Sequence, residues 1–109
     1  MAVGLGAFGA HGLKARLSVE TLAVWQTAVQ YHAWHALGLL AVGFLLPSLW
    51  SKAAGTLLAA GIVLFSGSLY AVALGAPRML GAVTPFGGLA FIAGWLCFAA
   101  AVISARTPA

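Results

Sequence analysis

Charge is what this chain has least of. Lys14, Arg16, Glu20, Lys52, Arg78 and Arg106 are all of it, 6% of 109 residues, where a soluble domain carries about 25%. A lone carboxylate, Glu20, excludes acid–base chemistry by paired carboxylates. A lone cysteine, Cys97, excludes an internal disulfide and leaves the redox compartment open. The net charge of +4 comes from basic residues scattered singly or in one pair; without a basic stripe or an aromatic platform, nucleic acid is excluded as a partner. Met1 to Leu13 has no positive segment ahead of its apolar stretch, so it does not read as a secretory signal.

What fills the space between the charges is apolar. The uncharged runs Glu20–Lys52, Lys52–Arg78 and Arg78–Arg106 contain 31, 25 and 27 residues. Each exceeds the roughly 20 residues that carry a helix across about 30 Å of hydrocarbon. With 63% hydrophobic residues the chain has too little polar surface to cover a core in water. These features predict one all-α, multi-pass integral membrane domain over 1–109, an up-and-down helical bundle of three full spans plus a short first helix. The lipid bilayer is its first partner, and a cell membrane its location.

Helices are expected at about 1–12, 19–46, 53–74 and 82–104. The first, MAVGLGAFGAHG, is about 18 Å long and reads as a re-entrant or partial span, or as the end of one begun upstream. Ser18 suits an N-cap, with Glu20 favourable near the positive helix end. Pro47-Ser48 supplies a stop, Gly75-Ala76-Pro77 another, and Pro108 lies beyond the last helix. Pro85 fits a first helical turn. Small residues at spacing four (Gly67, Ala71 and Gly75; Ala90 and Gly94) are expected helix-packing positions, because close backbone contact, not the hydrophobic effect, holds helices together in lipid. Trp25, Trp34, Trp50, Tyr70 and Trp95 read as an interfacial aromatic belt. Alternate loops place Lys14, Arg16 and Arg78 on one face and Lys52 and Arg106 on the other, so the first face is the expected cytoplasmic one.

Short loops and alternating helices would bring most polar side chains to one membrane side: His11, Gln26, Gln30, Tyr31, His32, His35, Ser66, Tyr70, Arg78 and Thr84. Polar groups at membrane depth need partners, so this cluster reads in two ways. It is either a set of interhelical hydrogen bonds serving cohesion, or a pocket for protons, a quinone, a lipid headgroup or another small ligand. His32 and His35 sit at i, i+3. Imidazole titrates near neutrality and ligates metals, but Glu20 lies about 18 Å along the helix from His32 and no metal is expected; bis-His haem between His11 and one of the pair is the remaining cofactor arrangement. No nucleophile has a base and an oxyanion site beside it, and GLGAFG lacks the βαβ context and downstream acid of a dinucleotide fingerprint. No enzymatic activity is expected.

GAFGAHGLK (Gly6 to Lys14), WQTAVQYHAWHALGLL (Trp25 to Leu40), FSGSLYAVAL (Phe65 to Leu74) and TPFGGLAFIAGWL (Thr84 to Leu96) fall in one order over nearly the whole chain. In this the chain resembles the small membrane proteins of domain of unknown function 423, a UPF-type family that includes transmembrane protein 256-like members. The resemblance implies a four-helix inner-membrane protein with a longer first helix ahead of GAFGAHG, and no activity, cofactor or substrate. The expectation is a non-catalytic accessory or binding subunit, within a larger membrane complex or a homo-oligomer. The alternatives are a proton-coupled transporter or channel-like element using the polar cluster, and a haem or quinone redox protein.

Overall fold

The computed structural model describes residues 1–106, so Pro108 lies outside the described residues. Within them the secondary structure is helical, without strands. We number the helices α1 (Ala2–Leu13), α2 (Val19–Gly43), α3 (Leu49–Ala73) and α4 (Thr84–Arg106), with a 3-10 turn, Arg78–Ala82, ahead of α4. Single wide π turns interrupt α1 at Gly9–Leu13 and α3 at Ile62–Ser66.

The ends of these helices are set by local chemistry. Ser18 takes the cap position of α2, its hydroxyl accepting from the Thr21 amide at 3.1 Å. The same device starts α3 four residues earlier than expected. Ser48 Oγ accepts from the Ser51 amide while Ser51 Oγ accepts from the Ser48 amide, a reciprocal capping box. Lys52 therefore lies in the first turn of α3 and not in a loop. Correspondingly α2 stops at Gly43 and not near Leu46, since Pro47 disfavours helical geometry in the residue before it. Gly75, at φ +105°, makes the turn after α3.

Successive helices run antiparallel. Gly6 faces Val29 and Gly9 faces Trp25 between α1 and α2. Between α2 and α3, Val42 meets Gly55, Gly38 meets Leu58, and the Ala28 carbonyl accepts from Ser66 Oγ at 2.8 Å. Between α3 and α4, Leu58 meets Gly94, Gly61 meets Phe91, and Phe65 meets Gly87. The Cα envelope measures 57 × 27 × 14 Å, a slab about two helices thick.

The grip of α3 on α4 depends on absent side chains. A Cβ at Gly94 would lie 2.9 Å from Leu58 Cδ2, one at Gly61 would meet the Phe91 ring, and one at Gly87 would overlap the Phe65 backbone. Two expected packing glycines behave otherwise. A Cβ at Gly67 would find only the Ile62 carbonyl oxygen, at 4.0 Å, and Gly75 has nothing within 4 Å. Gly67 lines a groove with Leu5 and His32 without closely touching either helix, and Gly75 is required by its left-handed backbone.

The expectation of three full spans meets two helices that are long and apolar enough to cross a membrane, Leu49–Ala73 and Arg78–Arg106. Only 28% and 22% of their most apolar windows is buried. A soluble core helix would be mostly covered, whereas here Leu37, Leu40, Val63, Leu89, Ile92 and Leu96 each expose more than half their surface. Exposed apolar area on this scale fits a lipid solvent. α2 matches the spanning helices in length, with 25 residues, but Gln26, Gln30, His32 and His35 lower its apolar character.

Candidate functional site

The polar residues separate into distinct groups. Beside α1, Trp25 is 2% exposed and its indole N–H donates to the Leu5 carbonyl at 2.9 Å. Its ring packs on Tyr70, centroids 4.6 Å apart, and the Tyr70 hydroxyl meets His32 Nδ1 at 3.0 Å. Trp25 is thus a core residue, a correction to its reading as part of an interfacial belt; Gly9 leaves the room its ring occupies. Trp34 and Trp50, 54% and 46% exposed, keep surface positions.

Closer to the α3–α4 turn, Ser68 Oγ pairs with Thr84 Oγ1 at 2.5 Å. Ser66, 1% exposed, is committed to the Ala28 carbonyl. Gln26 and Gln30 are exposed and line a small groove with Gly6, Trp25 and Val29. Arg78 shares a groove of about 520 Å³ with Glu20, Thr21, Val24, Val72 and Ala73 at the loop end. His11 is exposed on the π turn of α1. Because Gly9 already faces Trp25, His11 lies beyond Trp25 toward the start of α2, and His32 lies seven residues, about 10 Å, the other way. The two imidazoles do not face each other across a haem-sized gap. Among the described residues no three His, Cys, Asp or Glu side chains gather to hold a metal ion.

His35 heads the remaining group, and it is built differently from the rest. One turn beyond Tyr31, it is 6% exposed and lies against the Phe91 ring, centroids 3.5 Å apart and planes 14° from parallel. Its Nδ1 is 2.7 Å from the Tyr31 carbonyl oxygen. Tyr31 in turn packs on Phe65 at 4.5 Å, and Trp95 closes on His35 at 5.8 Å. These rings, with Pro85, Gly88, Leu89 and Ile92, line a groove of about 610 Å³ along the first half of α4, within the usual range for small-molecule sites. The helix pair therefore turns His32 and His35 to different neighbours: His32 to Tyr70, His35 to Phe91.

Tyr31 and His35 were visible in the sequence as candidates; Phe65, Phe91 and Trp95 were not. A usable signal was present: Gly87, Phe91 and Trp95 recur every four residues, which puts a notch and two rings on one stripe of α4.

Comparison with known proteins agrees with a membrane protein. Residues 5–88 match the family described as "Protein of unknown function (DUF423)". The UPF0382 membrane protein YwdK of Bacillus subtilis is 51% identical over 107 residues, covering 94% of this chain and 87% of the relative. A UPF0382 membrane protein of Staphylococcus haemolyticus is 54% identical over 98 residues, 88% of this chain and 80% of the relative. One from Staphylococcus epidermidis is 50% identical over 105 residues, 94% and 86% respectively. No solved structure matches the chain. With more than half the sequence under the family pattern and relatives at this identity, the chain belongs to the DUF423 family of membrane proteins.

Proposed function

We propose that this protein is a small multi-pass binding subunit of the bacterial inner membrane, without chemistry of its own, crossing the bilayer with α2, α3 and α4. The observation that carries the binding role is the groove around His35: an open groove of about 610 Å³ walled by rings and holding one buried polar side chain. The lipid-facing leucines beside it give an apolar ligand or a partner helix access from the bilayer.

The non-catalytic part of the reading rests on how the hydroxyls are tied. Ser66 donates to Ala28, Ser68 donates to Phe65 and accepts from Thr84, and Thr27 donates to Ala23. Among the described residues both histidines of α2 hydrogen-bond to a tyrosine hydroxyl or a carbonyl oxygen, and neither to a serine or threonine.

Purification from native membranes under mild conditions, with mass spectrometry of lipids and co-purifying proteins, tests the proposal. Wild type should carry a stoichiometric small molecule or partner that drops at least fivefold in Gly88→Leu, which fills the groove where a Cβ has room, 4.0 Å from the Phe65 ring. Identical inventories from both proteins, each folded, would contradict it.

A further inference from the structure

We infer that the groove's ligand is a flat, lipid-soluble aromatic molecule bearing a hydroxyl, which donates a hydrogen bond to His35 Nε2. This rests on the reading of the groove as a binding site and names the chemistry it takes.

The argument begins with the tautomer. The Tyr31 carbonyl can only accept, so at 2.7 Å the His35 Nδ1 must carry the hydrogen. In a neutral imidazole the other nitrogen is then an acceptor. Nε2 is left without a partner, yet no buried side-chain nitrogen or oxygen among the described residues lacks one. Nε2 is therefore not sealed off, and the groove that His35 lines is the opening beside it. A residue 6% exposed therefore presents one unpaired acceptor into an otherwise apolar space.

In lipid, no water is at hand to satisfy that nitrogen. The complementary group is a donor without charge, which excludes carbonyl-only molecules such as an oxidised quinone head or an ester and which a hydroxyl supplies. Shape narrows the choice further. Phe91 and His35 are stacked with each other, while Phe65, Tyr31 and Trp95 offer tilted faces and edges around the opening. Offset and edge-on ring contacts are the arrangements aromatic partners prefer. Gly88 leaves one position of the α4 wall without a side chain, giving a planar ring room to slide in. A phenol or a quinol head carries both properties, ring and donor, on a lipid-soluble body.

The test uses the full chain in nanodiscs and three probes with the same decyl tail: a phenol, its methyl ether and a hydroquinone. Binding is read from quenching of Trp95 fluorescence, with Trp95→Phe to identify the signal. Wild type should bind the phenol about tenfold more tightly than the ether, the usual weight of one hydrogen bond to a buried group. His35→Phe, which keeps a stacked ring and loses the acceptor, should bring the two within about twofold. Nitrogen NMR of wild type checks the same contact without a variant: the Nε2 resonance should move with the phenol and stay still with the ether. Tenfold tighter binding of the hydroquinone than of the phenol assigns the site to a quinol; equal binding assigns it to a monohydroxylated ring. Equal affinity of wild type for phenol and ether, or an unmoved Nε2 resonance, overturns the inference while leaving the groove a binding site. Failure of every probe to bind overturns both.

Discussion

Gly87→Ala should destabilise the fold by about 3 kcal/mol, lowering the ratio of folded to unfolded protein by about a hundredfold. A Cβ at position 87 would overlap the backbone nitrogen and Cα of Phe65. Most overpacking is relieved by a side chain that swings away; backbone inside a helix cannot. α4 would have to lift from α3 along the stripe that also seats Gly61 against Phe91 and Gly94 against Leu58. Gly67→Ala is the paired comparison, because its Cβ finds nothing closer than a carbonyl oxygen at 4.0 Å. That change should be neutral or slightly stabilising, as alanine favours a helix over glycine by up to about 1 kcal/mol. Unfolding in graded detergent mixtures measures both. A greater loss in Gly67→Ala than in Gly87→Ala would contradict the α3–α4 packing described here.

Trp25→Ala should release α1 while leaving the other three helices in place. Removing the indole deletes the hydrogen bond to Leu5 and the contacts with Tyr70 and Phe8, and leaves a cavity beside Gly9. Core deletions of this size cost about 3 kcal/mol or more. Leu5 keeps a helical partner, since its carbonyl also accepts from the Gly9 amide, so the loss falls on the α1–α2 contact and not on α1 itself. Amide hydrogen exchange should quicken about a hundredfold over Ala2–Leu13 and change little in α3 and α4. Trp25→Phe, which keeps a ring but no donor, should show a smaller effect of about 1 kcal/mol. Uniform acceleration across the whole chain, or none anywhere, would show that Trp25 does not fasten α1.

Which parts of this architecture could be read from the residues follows from what each signal depends on. Helix number and the caps at Ser18 and Gly75 are local effects, written in charge spacing and turn chemistry. The start of α3 was also local, but the Ser48–Ser51 pair reads as ordinary turn serines until their mutual hydrogen bonds are seen. The packing glycines failed at Gly67 and Gly75 because a spacing of four shows that residues share a face without showing which face meets a neighbour. The polar cluster was found as a set of residue types, yet its division was not legible. His32 and His35 are three positions apart, and only the placement of α1 and α4 decides that one meets Tyr70 and the other Phe91. For the same reason Trp25 looked like a belt residue. A tryptophan's burial depends on whether a glycine elsewhere in the chain makes room for it.

Every part of the account presumes that α2, α3 and α4 cross the bilayer in alternating directions. Single cysteines introduced by Ala15→Cys, Ser48→Cys and Ala76→Cys, in a background carrying Cys97→Ser, test this most directly when intact cells are treated with a membrane-impermeant thiol reagent. The antiparallel helices predict that positions 15 and 76 are reached from one side and position 48 from the opposite side. Labelling of all three from the same side would contradict it.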